Sequence, residues 1–221
     1  MLVSDLVFAS LFSYVPGPYG RLETYSDAYN FVIKLKQDKA IESGGIRTPI
    51  SDAIAKAIRI SLKELPFKDF FGESAYLVPA PSHAKHDPRA DHLNNVRNIV
   101  LALEREGLGQ AFDCIERIEA VTKSATANSS HRPDVTAHYH SIRVQRGVHK
   151  PQRIVIVDDV VTRGATMLAC ASRLKETWPD AHIVGFAVVR ALSNPNEYTR
   201  FRDPCMGTIR LAPGGGTFRQ P

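Results

Sequence analysis

The sequence predicts an α/β fold, a mostly parallel sheet with helices on both faces. Three observations predict it. Short branched apolar runs alternate along the chain with segments of helical period. The runs "SAYLVPAPS" (74–82), "RIVIVDDV" (153–160) and "HIVGFAVVRA" (182–191) are nearly continuous in apolar residues, as strands buried on both faces are. The chain of 221 residues is 43% hydrophobic and 23% charged, which suits a globular protein able to bury such a core.

The elements follow in order. Residues 1–47 read as an N-terminal appendage, with turn signals at "PGPYG" (16–20) and "SGG" (43–45) and a short amphipathic helix at "YNFVIKLK" (29–36). The helix "TPISDAIAKAIRISLKEL" (48–65) opens with Thr48 as cap and Pro49 at its first position, and Ile50, Ile54, Ile58 and Leu62 recur on one face. Strand 74–82 ends in a proline-rich turn. A second helix, "HLNNVRNIVLALEREG" (92–107), carries the stripe Leu93, Val96, Ile99, Val100 and Leu103 and stops at Gly107. "FDCIERIEAV" (112–121) alternates as a strand does. Residues 122–150 are polar and without period, the kind of long loop that is functional or disordered. Strand 153–160, helix 166–178 and strand 182–191 complete a core spanning 48–191. The remainder, 192–221, holds four prolines and "PGGG" (213–216) and reads as a mostly irregular tail.

Composition narrows the function. The net charge of +5 suits an anionic ligand. Nucleic acid is allowed but not favoured, since there is no dense Lys/Arg run. Cys114, Cys170 and Cys205 are far apart and odd in number, which disfavours both a zinc ribbon and a disulfide framework. The apolar N-terminus is interrupted by Asp5 and is too short for a membrane span, so a cytoplasmic protein without membrane contact is expected.

Chemistry concentrates in "RIVIVDDVVTRGAT" (153–166). A parallel strand presents its C-terminal end to ligands. Here it delivers two carboxylates, Asp158 and Asp159, followed by a small hydroxyl-bearing turn and a helix. The first N–H groups of that helix lack partners and form an anion site. Gly164 lets backbone approach a phosphate, and Thr162 and Thr166 add hydroxyl donors. The carboxylates can accept from sugar hydroxyls and hold Mg²⁺. Phosphoribosyl pyrophosphate (PRPP) meets all three demands.

Residues 154–166, "IVIVDDVVTRGAT", resemble the thirteen-residue signature of the type I phosphoribosyltransferases, with Arg163 standing where Thr or Ser is commoner. "VPAPSHAKHDPRADHLNNV" (78–96) is similar to the corresponding region of the ComF-like subfamily, Arg89 and Asn94 matching its Arg and Asn. "YSDAYNFVIKLKQDKAI" (25–41) resembles a helix of that subfamily. Its four-cysteine zinc module is missing. The resemblance implies a Rossmann-like type I phosphoribosyltransferase fold with a small N-terminal hood.

It also implies roles. Asp158 and Asp159 would bind the ribose hydroxyls and Mg²⁺. Val160, Val161, Thr162, Arg163, Gly164, Ala165 and Thr166 would cradle the 5-phosphate. Ser82, His83, Ala84 and Lys85 would form a pyrophosphate loop around a strained peptide. Lys85 and Arg89 would neutralise the leaving group, and the segment 122–141 would close over the ligand. The partners implied are PRPP and a nitrogenous acceptor of unknown identity, with a homodimer allowed. Thr162 stands where enzymes of 6-oxopurines carry an acid, which disfavours hypoxanthine and guanine. Several readings stay open. Phe12, Tyr14 and Tyr19 are either core or stack on a base. His138 and His140 are either loop contacts or half of a metal site. Arg190 is either a surface cap or a site residue. The chain itself is either a transferase or a PRPP-sensing regulator. A glycosidic hydrolase would need a water-activating acid that the sequence does not display.

Overall fold

The computed structural model describes residues 1–85, 95–121, 134–147 and 150–221. Its first element, β1 (Asp5–Tyr14), is followed by α1 (Glu23–Leu35), the hairpin β2 (Ala40–Ser43) and β3 (Ile46–Pro49), and α2 (Ile50–Ser61). Then come β4 (Ala75–Pro79), α3 (Asn95–Arg105), β5 (Gln110–Ala111), β6 (Ile115–Arg117), α4 (Val135–His140) and β7 (Ile142–Val144). The chain ends with β8 (Arg153–Val161), α5 (Ala165–Thr177), β9 (His182–Ala191), β10 (Arg202–Leu211) and β11 (Thr217–Gln220).

Seven strands form one sheet in the order β11-β10-β1-β9-β8-β4-β5. The five from β1 to β5 are parallel, and β10 and β11 extend the sheet antiparallel beside β1. The apolar residues of β8 divide by the period of two that a strand imposes. Val155 and Val157 pack beneath α1, α2 and α3, while Ile154 and Ile156 pack beneath α5 and α4. The stripe Ile50, Ile54 and Ile58 of α2 is buried as expected, and so are Val96, Ile99, Val100 and Leu103 of α3. Among the described residues no helix is long and apolar enough to cross a membrane.

Several expected elements differ. The strand β1 lies inside the sheet between β10 and β9, so the first part of the expected appendage is core. The tail is not irregular. Its strand β10 pairs with β1 from Asp5↔Arg210 to Phe12↔Arg202. Pro204 is tolerated because the register shifts between Ser10 and Phe12, a bulge where no ladder N–H is required of it. The "PGGG" run is the turn joining β10 to β11, with Leu211 opposite Thr217.

Thr48 does not cap α2. It pairs with Ile41 in the β2–β3 hairpin, and Pro49 occupies the cap position. The α-helix ends at Ser61 and continues as one 3₁₀ turn, 62–64. Helix α1 begins at Glu23, six residues before the expected start. The alternating run 112–121 yields only the three-residue β6, which pairs with β7 outside the main sheet. Helix α4 and strand β7 emerge from the aperiodic region 122–150.

Candidate functional site

The strand β8 runs through both acids to Val161, one residue past the expected end, pairing Asp158 with Ala187 and Val161 with Arg190 of β9. Both acids lie at the C-terminal end of the strand, and their carboxyls stay close enough to hydrogen-bond each other. Asp159 faces the side of α1 and α3. Its Oδ2 accepts from Lys36 Nζ at 3.1 Å and from Asn95 Nδ2 at 2.9 Å, and its Oδ1 accepts from the Val160 N–H at 2.7 Å. Asp158 faces the side of α5, where its charge acts on Arg117 and Cys170. Its Oδ1 accepts from the Asp159 N–H at 2.8 Å.

The two carboxyls are therefore unequal. Burial, together with the neighbouring charge of Asp159, pushes the Asp158 carboxyl well above the carboxylate range. Burial acts on Asp159 in the same sense, but the Lys36 ammonium and the hydrogen bond from Asn95 outweigh it and hold that carboxyl below its ordinary value. Tyr14, at the end of β1, is pushed up to about 12 by burial and by the charge of Asp159. It is core, 8% exposed, while Tyr19 is exposed and Phe12 stacks on Phe201 with centroids 4.4 Å apart.

Lys36 is placed by a bracket just after α1. Asp38 holds a left-handed φ of 44°, uncommon for a residue with a side chain. Its carboxylate accepts from Ser51 N at 3.0 Å, Ser51 Oγ at 3.1 Å and Asn98 Nδ2 at 3.0 Å. Those three bonds offset the backbone cost and tie the end of α1 to α2 and α3.

The turn after β8 is as expected. Gly164 caps α5 in the left-handed region, φ 87°, with Ile209 directly against it, so the first N–H groups of a 13-residue helix open toward Thr162, Arg163, Ala165 and Thr166. The carbonyl of Thr162 accepts from Arg219 Nε at 2.6 Å.

The second loop, Ser82–Lys85, follows β4 on the same rim and is exposed. It rests on Arg117, which is 1% exposed and donates to the Ser82 carbonyl and to Ser141 Oγ. Arg117 NH2 also lies 3.5 Å from His138 Nδ1, and the His83 carbonyl accepts from Val121 N–H at 2.9 Å. No peptide of 82–85 is cis and none of these residues has positive φ, so the strained peptide expected there is not found. Arg89, Asn94 and most of the segment 122–141 lie outside the described residues.

Two open readings are narrowed. Arg190 is not a surface cap. It is 5% exposed, pairs with Asp203 and donates to the Asp203 carbonyl at 2.6 Å. His138 is buried under α4 and turned toward Arg117, and among the described residues no group of three or more His, Cys, Asp or Glu side chains could hold a metal. Lys36, Asn95, Arg117 and Arg219 are site neighbours that sequence reasoning did not select. For Arg117 the signal was present, since its alternating run puts it in phase with buried Ile115. A cleft of about 250 Å³ at Ser74, Gln152, Arg153 and His182 lies at the opposite, N-terminal edge of the sheet and contains none of the expected residues.

A parallel sheet with two loops on one rim, a carboxylate pair and a glycine-capped helix defines an α/β protein built to hold a phosphorylated ligand. The family follows. Residues 87–205 match the model of the phosphoribosyl transferase domain, more than half of the chain, and the protein belongs to that family. Its fold is the type I phosphoribosyltransferase fold. Solved structures that the chain matches include a hypoxanthine phosphoribosyltransferase from Staphylococcus aureus, at 12% identity and a TM-score of 0.32 over 68% of this chain and 66% of that one, just under two thirds of its length. Adenine phosphoribosyltransferase from Leishmania donovani aligns at 13% identity and 0.31 over 77% and 86%. The enzyme of Trypanosoma brucei with AMP, pyrophosphate and ribose 5-phosphate aligns at 14% and 0.31 over 78% and 87%. Likenesses this distant carry no argument about substrate. A search of curated proteins finds no match.

Proposed function

We propose that the chain binds PRPP and transfers its phosphoribosyl group to a nitrogen nucleophile. One observation carries the reading. Two carboxylates at the C-terminal end of a buried parallel strand stand directly before a glycine-capped helix N-terminus. Within the family, the similarity of residues 78–96 to the ComF-like group supports that subfamily.

In this reading the N–H groups after Gly164, with the hydroxyls of Thr162 and Thr166, hold the 5-phosphate. Asp158 and Asp159 take the ribose hydroxyls. The loop Ser82–Lys85 holds the diphosphate, with Lys85 and Arg89 supplying positive charge as the C1–O bond breaks. Fixed donors act there as the charge develops, which lowers the barrier without reorganisation. Residues 15–47 form the hood over the acceptor, and closure of the polar segment excludes water.

The donor set suits Mg²⁺ brought by the substrate better than a resident ion. Asp159 already carries an ammonium on Oδ2, whereas no cationic side chain among the described residues forms an ion pair with Asp158. Asp158 would hold Mg²⁺ together with ligand oxygens, and Asp159 would join it once Lys36 withdraws. Bound there, Mg²⁺ would neutralise diphosphate charge.

The test is pyrophosphate release from PRPP with Mg²⁺ and a panel of bases and amines. Turnover that depends on one acceptor is the expected result. Tight PRPP binding without turnover, coupled to affinity for nucleic acid or protein, would replace the transferase with a regulator that senses the metabolite.

A further inference from the structure

We propose that the C-terminal hairpin β10–β11 is a brace that positions the phosphate loop, with Arg219 as its positioning residue. The proposal rests on the reading of residues 162–166 as a phosphate cradle.

Three contacts carry it, each to a different part of the site. First, Arg219 of β11 donates from Nε to the Thr162 carbonyl and from NH2 to the Ala191 carbonyl, both at 2.6 Å. A trans peptide points its C=O and N–H in opposite directions. Holding the Thr162 carbonyl down therefore aims the Arg163 N–H up, into the cradle. A guanidinium suits this task because its donors are fixed in one plane and reach two carbonyls at once. Its stem is half-buried, and its charge lies over the Phe8 ring, 5.6 Å from the centroid.

Second, Ile209 of β10 is fully buried and packs against Gly164. A Cβ at Gly164 would fall 2.4 Å from Ile209 Cδ1. The helix N-terminus thus sits on the hairpin with no gap. Third, the turn between the strands reaches α4. The Gly215 carbonyl accepts from the Val135 N–H at 3.0 Å, and Gly215 lies against the Asp134 carboxyl that caps α4. Residue 134 is where the described chain resumes after the polar segment. One hairpin therefore anchors the phosphate loop and the C-terminal root of that segment. The brace belongs to the site although it comes from the chain's last twenty residues, and residues 206–221 fall outside the stretch that matches the family model.

The experiment uses the full chain as wild type, Arg219→Ala, Arg219→Lys, Gly215→Ala and the control Arg210→Ala, an exposed arginine of the same hairpin. Amide hydrogen exchange is followed without ligand, and ribose 5-phosphate binding by calorimetry. Arg219→Ala is expected to speed exchange at residues 162–166 and to weaken ribose 5-phosphate about tenfold, the loss of one charge-assisted bond to the loop. Lysine reaches one carbonyl and restores part of the affinity. Gly215→Ala is expected to speed exchange at 134–137, and Arg210→Ala to change neither. Faster exchange confined to the hairpin, or unchanged affinity in Arg219→Ala, would overturn the brace. If Arg219→Ala does not fold, Arg219→Lys and Gly215→Ala decide the same question by the same two readouts. Failure of wild type to bind ribose 5-phosphate would remove the phosphate reading instead, and exchange at 162–166 would still decide whether the brace exists.

Discussion

The ammonium of Lys36 lies 3.1 Å from Oδ2 of Asp159, so a residue of the expected hood already occupies one of the two site carboxylates. The Lys36 side chain is 46% exposed and that of Asp159 13%. A half-exposed partner is screened and easily displaced. Any cation or sugar that uses Asp159 competes with it. Replacing the ammonium with a neutral chain, Lys36→Met, is therefore expected to tighten Mn²⁺ binding to the ligand-free protein about fivefold, roughly 1 kcal/mol. Titration calorimetry measures this, and unchanged or weaker Mn²⁺ affinity would show that lysine and metal do not share Asp159.

The unequal environments of the acids separate ligand binding from stability. Asp158→Asn with Asp159→Asn removes both carboxyls and is expected to reduce PRPP affinity at least a hundredfold while the fold persists. The single variants are expected to diverge in stability. Asp158 is held toward its neutral form, so the amide costs little there. Asp159 is held ionised by Lys36 and Asn95, so its amide loses both interactions and about 1–2 kcal/mol. Urea titrations of the two singles test the order. Equal losses would mean that the acids share one environment.

How much of this was legible in the sequence varies by element. The strands β4, β8 and β9 and the stripes of α2 and α3 could be read because buried residues recur with a local period. The acid pair and its glycine could be read because the chemistry lies in one contiguous stretch. The unequal environments of the two acids were not readable, because Lys36 and Asn95 reach Asp159 from distant segments. Strand β10 was hidden by Pro204 and the glycines, whose cost is absorbed by a bulge and a turn that exist only once β1 is beside it. Lys36, Asn95, Arg117 and Arg219 reach the site from 123, 64, 35 and 57 residues away along the chain, separations that carry no local signal. The Asp38 bracket is of the same kind.

His138 gives the protein an acid-sensitive joint beneath the loop Ser82–Lys85. Burial, reinforced by the charge of Arg117, lowers its pKa from 6.5 to about 4, and its Nε2 has no hydrogen-bond partner among the described residues. The folded state thus prefers the neutral ring, while the unfolded chain takes a proton near pH 6.5. The stabilisation is complete above that value and is lost as the pH falls toward 4, on the order of 2–3 kcal/mol in all. Urea midpoints at pH 7, 5.5 and 4.5 should fall in that order for wild type. His138→Gln, which does not titrate, is expected to flatten the decline. A slope identical in both proteins would assign the acid sensitivity to other groups.

Gly164 is the position at which backbone conformation and packing are both restrictive. Its φ of 87° is costly for any residue with a Cβ, about 1–3 kcal/mol. An added Cβ would also meet three carbons of Ile209 at 2.4–2.9 Å, and Ile209 is fully buried and has nowhere to retreat. Gly164→Ala is therefore expected to cost about 2–4 kcal/mol, strain and overpacking together. The two terms can be separated. In Gly164→Ala with Ile209→Val the branch that meets the new methyl is shortened, while the left-handed backbone remains. Partial recovery of the urea midpoint in the double variant, with phosphate affinity still reduced, is the expected pattern, because relief of packing leaves the cap conformation strained and the α5 N–H groups misaligned. Additive losses would show that Ile209 does not press on the loop.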